Sequence, residues 1–177
     1  MKVIVVYTFL SVLFISHFAF SQKLALTKGV SAVAPQGSKR LTKAEVAAFV
    51  KANFKHTEID TNKTIVYQNN HLLISYWDIY TGPEFRRPLE KTLKLLTYLF
   101  KDDHNNIVTT SKIINVNGTR FIILEYERND EVYLSFLSEV KPNGVNANGI
   151  IQFKKPYEAE AQKALEELLP TIKFSVQ

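Results

Sequence analysis

Carboxylates are the side chains of this sequence that could carry out acid–base catalysis, and Glu125 and Glu127 alternate along one predicted strand. Alternate strand residues project from the same face of a sheet, so the two carboxylates lie on one side. Paired carboxylates about 5–10 Å apart can hydrolyse glycosidic bonds, and a small hydrolase is therefore one hypothesis. The alternative is structural, because both residues approach a hairpin end, where solvent, lysine or arginine stabilises a carboxylate.

The densest group of oxygen and nitrogen donors is the Lys-Asp-Asp-His-Asn-Asn run that follows a predicted helix. Asp102, Asp103 and Asn105 could offer oxygen ligands to calcium, although the run lacks the alternating spacing of calcium-binding loops. A hydrolase could instead use His104 with the two aspartates. The histidines after the N-terminal segment lie in separate stretches, without the spacing that places two ligands on one helix face. We therefore predict a solvated helix end, with no metal and no cofactor.

Aromatic and arginine side chains are concentrated between residues 76 and 88, just before a predicted helix start at Pro88. Such side chains are enriched where binding energy concentrates, and the N-terminus of a helix favours an anion. The segment could therefore bind a partner protein or a small acidic ligand. In the alternative interpretation, Trp77 packs in the core and the two arginines are solvated. The candidate binding residues are Tyr76, Trp77, Tyr80, Phe85, Arg86 and Arg87.

Residues 1–21 include 15 apolar residues, and Lys2 is their only charge. A basic start, an apolar run and the small residues Ala19 and Ser21 predict a secretory signal that is cleaved before Gln22. A transmembrane anchor is the alternative, but polar residues interrupt the apolar run, so we expect no transmembrane segment after signal removal. The predicted location is secreted or periplasmic.

The composition of the 177-residue chain excludes several classes of protein. Because cysteine is absent, disulfide scaffolds, thiolate metal sites, thiol nucleophiles and a lipid anchor on an N-terminal cysteine are excluded. The net charge of +5 comes mainly from the first third of the chain, and the remainder is nearly neutral. Since nucleic-acid binding needs a concentrated basic surface, we predict no nucleic-acid partner.

Turn, cap and periodicity signals divide the rest of the chain into elements. Residues 22–40 show no sustained period and predict a flexible leader or an extended strap. Thr42 and Glu45 form a capping box that starts a helix. The expected later elements are strands at Thr64–Gln68 and Leu72–Tyr80, a helix from Pro88, four strands within Ile107–Phe153, a helix at Tyr157–Leu169 and an optional edge strand at Thr171–Phe174. In the helix from Pro88, Leu95 and Leu99 are expected to widen a buried stripe formed by Leu89, Leu93, Leu96 and Phe100. A loop at Pro142–Gly149 is expected to lead to the strand Ile150–Phe153.

Strands joined by tight turns are antiparallel, and helices separate from them in sequence must cover the sheet faces. The prediction is an α+β fold in which an antiparallel sheet is covered by helices on both faces. The domain organisation is a signal peptide at 1–21, a leader at 22–40 and one domain at 41–177. This length is sufficient for a stable core without disulfides.

Three stretches of this chain carry a resemblance to a known fold: the hairpin 114–126 with Tyr133–Phe136, the strand Gly149–Phe153 and the closing segment Leu168–Phe174. They are similar to the PsbP-like superfamily, which includes extrinsic photosystem proteins, a Ran-binding protein of similar shape and small secreted bacterial proteins. The resemblance implies an α/β/α sandwich and a secreted or periplasmic accessory protein. No residue matches a metal or partner site of the characterised members.

Three hypotheses about function remain at this point. The first is a non-catalytic binding or accessory protein that uses the aromatic and arginine segment. The second is a small secreted hydrolase that uses a carboxylate pair. The third is an envelope assembly or interaction module whose leader orders on a partner.

Overall fold

A seven-stranded antiparallel sheet forms the centre of the fold. The structure is a computed structural model that describes residues 23–25, 29–57, 59, 64–82 and 86–174. The elements in chain order are β1 (Lys23–Ala25), β2 (Val30–Val33), β3 (Lys39–Arg40), α1 (Lys43–Asn53), β4 (Ile65–Asn69), β5 (Leu72–Tyr80), α2 (Leu89–Asp102), β6 (Ile107–Val116), β7 (Thr119–Arg128), β8 (Glu131–Ser138), β9 (Val145–Lys154), α3 (Glu158–Leu168) and β10 (Lys173–Phe174).

The order of strands in the large sheet is β3-β4-β5-β9-β8-β7-β6, and the strands β1, β2 and β10 form a small second sheet. Tight turns set the register of the hairpins. Asn117 and Gly118 have φ values of 51° and 76°, which match the left-handed backbone of a two-residue hairpin turn. Arg128 pairs with Glu131 across the next turn. The predicted α+β class with an antiparallel sheet is confirmed.

Helices cover both faces of the large sheet. On one face, Ala161, Leu165 and Leu168 of α3 pack in the largest core cluster. On the other face, α1 covers Leu73 and α2 covers Tyr126. On neighbouring strands, Leu73 pairs with Gln152, Gln152 with Tyr133, and Tyr133 with Tyr126. Directly paired residues lie on the same face of a sheet, so α1 and α2 cover the same side.

The start of α1 has the predicted capping box. The Thr42 hydroxyl accepts a hydrogen bond from the Glu45 amide at 3.3 Å, and the Glu45 carboxylate accepts one from the Thr42 amide at 2.8 Å. Hydrogen bonds from the Lys39 ammonium and from Thr42 lower the pKa of Glu45 to about 2. The helix start is therefore fixed by groups close in sequence.

Residues 29–40 form an extended strap and not a flexible leader. Val30 and Ala32 are each 1% exposed, and Ala32 belongs to the main core cluster under α3. Strand β2 pairs with β1 on one side and β10 on the other. The Thr171 hydroxyl also accepts a hydrogen bond from the Val33 amide at 2.9 Å. Alternating small apolar side chains explain this packing; the predicted signal segment 1–21 lies outside the described residues.

Helix α2 packs Leu96 and Phe100 against Tyr126 at the β6–β7 end of the sheet. The expectation that Leu95 and Leu99 widen this buried stripe is wrong, since they are 44% and 52% exposed. Both residues lie about 80–120° around the helix axis from the buried stripe, beyond the reach of the sheet. No helix in the described ranges is long and apolar enough to span a membrane.

Strand β9 is longer than expected, because the segment that resembles a loop before Ile150 is part of the strand. Asn146 and Asn148 pair with Ile79 and Trp77 of β5. Gly149 lies between Tyr76 and Phe136 in the middle of the sheet. The glycine and asparagine residues thus extend β9 to the end of β5, where Ile79 and Tyr80 are exposed.

Candidate functional site

The end of β5 presents the largest group of sequence-predicted binding residues. We call the side chains of Tyr80, Arg86 and Arg87 the β5-end surface. Tyr80 is 70% exposed and both arginines are exposed, whereas Ile79 projects from the opposite face of the strand. Phe85 lies outside the described residues.

Tyr76 and Trp77 do not belong to this surface. Tyr76 is 1% exposed, and its ring stacks on Tyr67 with ring centroids 5.7 Å apart. Burial raises the pKa of Tyr76 well above its ordinary value, so the hydroxyl stays neutral. Trp77 is half-buried and points to the opposite sheet face, because adjacent strand residues alternate. The prediction of Tyr76 as a contact residue is therefore wrong, because its side chain is in the core.

Tyr80 is held in place by the turn before β9. Its ring lies against Gly144, where a β-carbon would be 2.8 Å from a ring atom. Gly144 has a φ of 81°, which a glycine adopts without strain. The Thr81 amide donates a hydrogen bond to the Gly144 carbonyl at 2.7 Å. An exposed tyrosine ring is thus supported by a defined backbone.

Arg86 is fixed to the same turn. Its guanidinium donates a hydrogen bond to the Pro142 carbonyl. Among the described residues, no carboxylate forms an ion pair with Arg86 or Arg87. The structure therefore brings Tyr80 and Arg86 together at one turn. Arg87 follows Arg86 in the chain, and its guanidinium is available to an anion.

The carboxylates proposed for a hydrolase are engaged in structural contacts. Glu125 is 6% exposed and accepts hydrogen bonds from the Thr109 hydroxyl at 2.6 Å and the Gln162 amide at 2.9 Å. Glu127 forms an ion pair with Lys155 at 2.7 Å and raises the pKa of this lysine. Glu125 thus joins the sheet to α3, while Glu127 joins it to the turn before α3.

The acidic run after α2 caps a turn. The Asp103 carboxylate accepts a hydrogen bond from the Asn105 amide at 3.0 Å and pairs with Arg128 at 2.6 Å. The hydrogen bond from the Asn105 amide is the main reason why the pKa of Asp103 is lowered, and Arg128 lowers it further. Within the described ranges, no three acidic or histidine side chains come together in a way that could hold a metal ion.

A buried polar network around Glu131 is the feature that sequence reasoning missed. Glu131 is 2% exposed and accepts hydrogen bonds from the Tyr133 hydroxyl at 2.9 Å, the Gln152 amide at 2.8 Å and the Lys55 backbone amide. Gln152 also donates to the His56 carbonyl at 2.6 Å. The network ties the chain after α1 to the sheet. Glu131 and Tyr133 are two residues apart, and this spacing would have indicated that both lie on one face of a strand. The position of Glu131 beside a turn was equally consistent with a solvent-exposed side chain.

Comparisons with known proteins support the fold. No family model matches the chain, and no curated protein matches it by sequence. The solution structure of cyanobacterial PsbP (CyanoP) from Synechocystis sp. PCC 6803 is similar, with a TM-score of 0.53 and 10% identity over 87% of this chain and 92% of that chain.

A crystal structure from Bacteroides thetaiotaomicron is also similar, with a TM-score of 0.50 and 9% identity over 84% of this chain. The match covers 46% of the length of that protein. At these identities the likeness concerns the path of the backbone. The chain therefore has a PsbP-like α+β fold, as the sequence resemblance indicated.

Proposed function

We propose that this chain is an exported, non-catalytic accessory protein that binds a partner protein through the β5-end surface. The observation that carries the proposal is the anchoring of Tyr80 and Arg86 to one turn, by contact with Gly144 and by a hydrogen bond to Pro142. Tyrosine and arginine are the side chains that most often dominate a protein interface. Because both are already positioned, little conformational entropy is lost when a partner binds.

The charge of this surface indicates the chemistry of the partner. Arg87 is exposed and has no ion pair among the described residues, so its guanidinium is available to a carboxylate. The Tyr80 ring, which is 70% exposed, adds apolar area beside the arginines. A partner with an acidic side chain beside an apolar one would match both features. A small acidic ligand would use the arginine but would leave most of the apolar area exposed.

Export is the second part of the proposal. Its support is the secretory pattern of residues 1–21, together with the PsbP-like fold, which suggests an accessory role by analogy. Mass spectrometry of the protein from its own envelope fraction tests this part. We expect an N-terminus at Gln22, and recovery of the intact N-terminus from the cytoplasm would contradict export.

The non-catalytic assignment rests on how Glu125 and Glu127 are used. A catalytic carboxylate must reach substrate, whereas Glu125 is buried between Thr109 and Gln162.

The assembly-module hypothesis required a leader that orders on a partner. Residues 29–40 already pack against the body of the protein, which removes this requirement from most of the leader.

A quantitative capture experiment tests the binding surface. The chain from Gln22 onwards is immobilised, and proteins from the native envelope fraction are recovered and measured by mass spectrometry. We expect Tyr80→Ala and Arg87→Ala each to reduce recovery of specific partners at least about tenfold, as truncation of an interface hot spot does. Circular dichroism should show unchanged folding, because both side chains are exposed.

Two control variants match these changes elsewhere on the surface. His71→Ala removes an exposed aromatic ring in the turn between β4 and β5, and Lys51→Ala removes an exposed cation on α1. Both should recover the partners as the unaltered chain does. Equal recovery by Tyr80→Ala and His71→Ala would refute the β5-end surface as the contact.

A further inference from the structure

Strand β6 lies at one end of the large sheet and has a free edge in the described part of the chain. It pairs with β7 alone and is 10 residues long. Alternate residues of such a strand direct their N–H and C=O groups away from the sheet, where another strand can pair with them. An irregularity between Val108 and Thr110 disturbs the beginning of the strand. Residues 110–116 are regular, and we call their outer side the β6 edge.

A groove runs beside this edge under α2. The Thr97 hydroxyl of α2 and the Ser111 hydroxyl of β6 are hydrogen-bonded, which fixes the helix over the strand. The groove has a volume of about 410 Å³, and its lining includes Leu93 and the ring of Tyr98, which is 64% exposed. A strand added to the β6 edge would direct every second side chain towards this groove, because side chains alternate between the two faces.

Lysines flank the groove and the β6 edge, and they have no acidic partners among the described residues. Lys94 and Lys101 line it from α2, and Lys112 projects from β6 on the other face of the sheet. None of the three forms an ion pair with a carboxylate of the described ranges. Glu90 also lines the groove, and its carboxylate is paired with Arg120. The β6 edge and its groove therefore present uncompensated positive charge together with unpaired backbone groups.

We propose that the β6 edge binds an extended acidic segment of a partner protein, which adds to the large sheet as an eighth strand. Backbone hydrogen bonds to β6 provide the general affinity, as in other cases of strand addition. An apolar side chain of the segment enters the groove between Leu93 and Tyr98, and flanking carboxylates contact Lys94 and Lys101.

Charge also decides between this segment and a second copy of the same chain. Pairing of two β6 edges would bring two sets of lysines together, including Lys112 from each copy. Like charges facing each other across neighbouring strands are destabilising, and an edge lysine is a common protection against self-association. An acidic segment instead neutralises the lysines. The occupant is therefore a different chain with negative charge.

A synthetic peptide tests strand addition on the chain from Gln22 onwards. The probe is a fluorescent octapeptide in which valine and glutamate alternate, and its binding is followed by fluorescence anisotropy. Backbone pairing is tested on the peptide itself, with a version in which alternate amides are N-methylated and cannot donate hydrogen bonds. A peptide that alternates valine and lysine serves as the charge control. We expect binding of the first peptide only.

Protein variants test the location of the bound peptide. Lys94→Glu combined with Lys101→Glu should weaken binding about tenfold or more, because two exposed attractions become repulsions. A matched double variant, Lys51→Glu with Lys154→Glu, changes the net charge equally on other elements and should weaken binding much less. Tyr80→Ala should bind the peptide normally, which separates this proposal from the proposed function.

Hydrogen exchange provides the decisive observation. Peptide binding should slow exchange of backbone amides within residues 110–116 that are directed away from β7. Protection confined to other strands, or equal binding of the N-methylated peptide, would overturn the proposal. Vesicles of phosphatidylglycerol and phosphatidylcholine are the remaining comparison. Lysine-dependent binding of these vesicles without peptide binding would assign the face to a membrane and overturn strand addition.

Discussion

Replacement of Gly149 by alanine is the change with the best-defined cost in this fold. Gly149 lies in β9, opposite Tyr76 on one side and Phe136 on the other. A methyl group at this position would overlap two ring carbons of Phe136 and would lie 2.8 Å from the carbonyl oxygen of Ser75. Phe136 is 1% exposed, so its ring has no free space to move into. The glycine is therefore required by the aromatic ring that covers it.

The magnitude follows from these contacts. Overpacking a core costs about 1–3 kcal/mol, and we take the upper end because a backbone carbonyl cannot move away as a side chain can. Alanine also restricts the unfolded chain more than glycine does, which offsets about 0.7 kcal/mol of this destabilisation. We therefore expect Gly149→Ala to lower the free energy of unfolding by about 2 kcal/mol. The midpoint of thermal unfolding should fall by about 6 °C for a domain of this size.

Urea unfolding followed by circular dichroism measures this change, and Phe136→Leu tests its cause. The smaller leucine leaves room for the methyl group, so the two substitutions together should cost less than the sum of the single ones by about 1 kcal/mol. As a control, Gly118→Ala places alanine at a φ of 76° with no atom within 4 Å, and Phe136→Leu should not offset its cost. Strict additivity of Gly149→Ala and Phe136→Leu would refute the steric reasoning.

The remaining predictions concern the cap of α1 and the buried network. Thr42→Ala should lower the free energy of unfolding by about 1 kcal/mol in urea, since it removes the hydroxyl that accepts from the Glu45 amide; an unchanged midpoint would show that the cap is dispensable. Because the pKa of Glu45 is lowered to about 2 from 4.5, its contribution to stability is complete above pH 4.5 and is lost as the pH falls towards 2. An NMR titration should show this low value and a higher one in Lys39→Ala, whereas an ordinary value in both would contradict the hydrogen-bond explanation. Glu131→Ala should lower the free energy of unfolding by about 3 kcal/mol, because buried hydrogen-bond donors lose their acceptor. Hydrogen exchange at the Lys55 amide, which donates to Glu131, should accelerate. Glu139→Ala, which breaks an ion pair with Lys141, should leave this exchange unchanged.

The parts of this fold that the sequence predicted depend on local interactions. The capping box of Thr42 and Glu45 is formed by neighbouring groups, and the Asn117-Gly118 turn follows from backbone conformations that few residues adopt. The PsbP-like fold could be recognised from hydrophobic patterns in the hairpins and the closing helix. These signals do not depend on what packs against them.

Other parts depended on contacts between distant segments. Strand β5 has both faces covered, so alternation alone could not show that Tyr76 is buried while Tyr80 is exposed at the strand end. The length of β9 was missed because Asn146 and Asn148 resemble loop residues, although pairing with β5 holds them in a strand. At the candidate site, the contact of Tyr80 with Gly144 joins residues from separate elements, and no local pattern indicates it.

The position of β2 between β1 and β10 has a consequence for the order of folding. The hydrogen bond from the Val33 amide to the Thr171 hydroxyl joins residues that are 138 positions apart. Contacts of such large sequence separation close late, because the entropy of a long loop must be lost first. The small sheet cannot be completed until residues 171–174 have left the ribosome. A chain that passes through an export channel from its N-terminus would therefore complete its fold only after residues 171–174 have crossed.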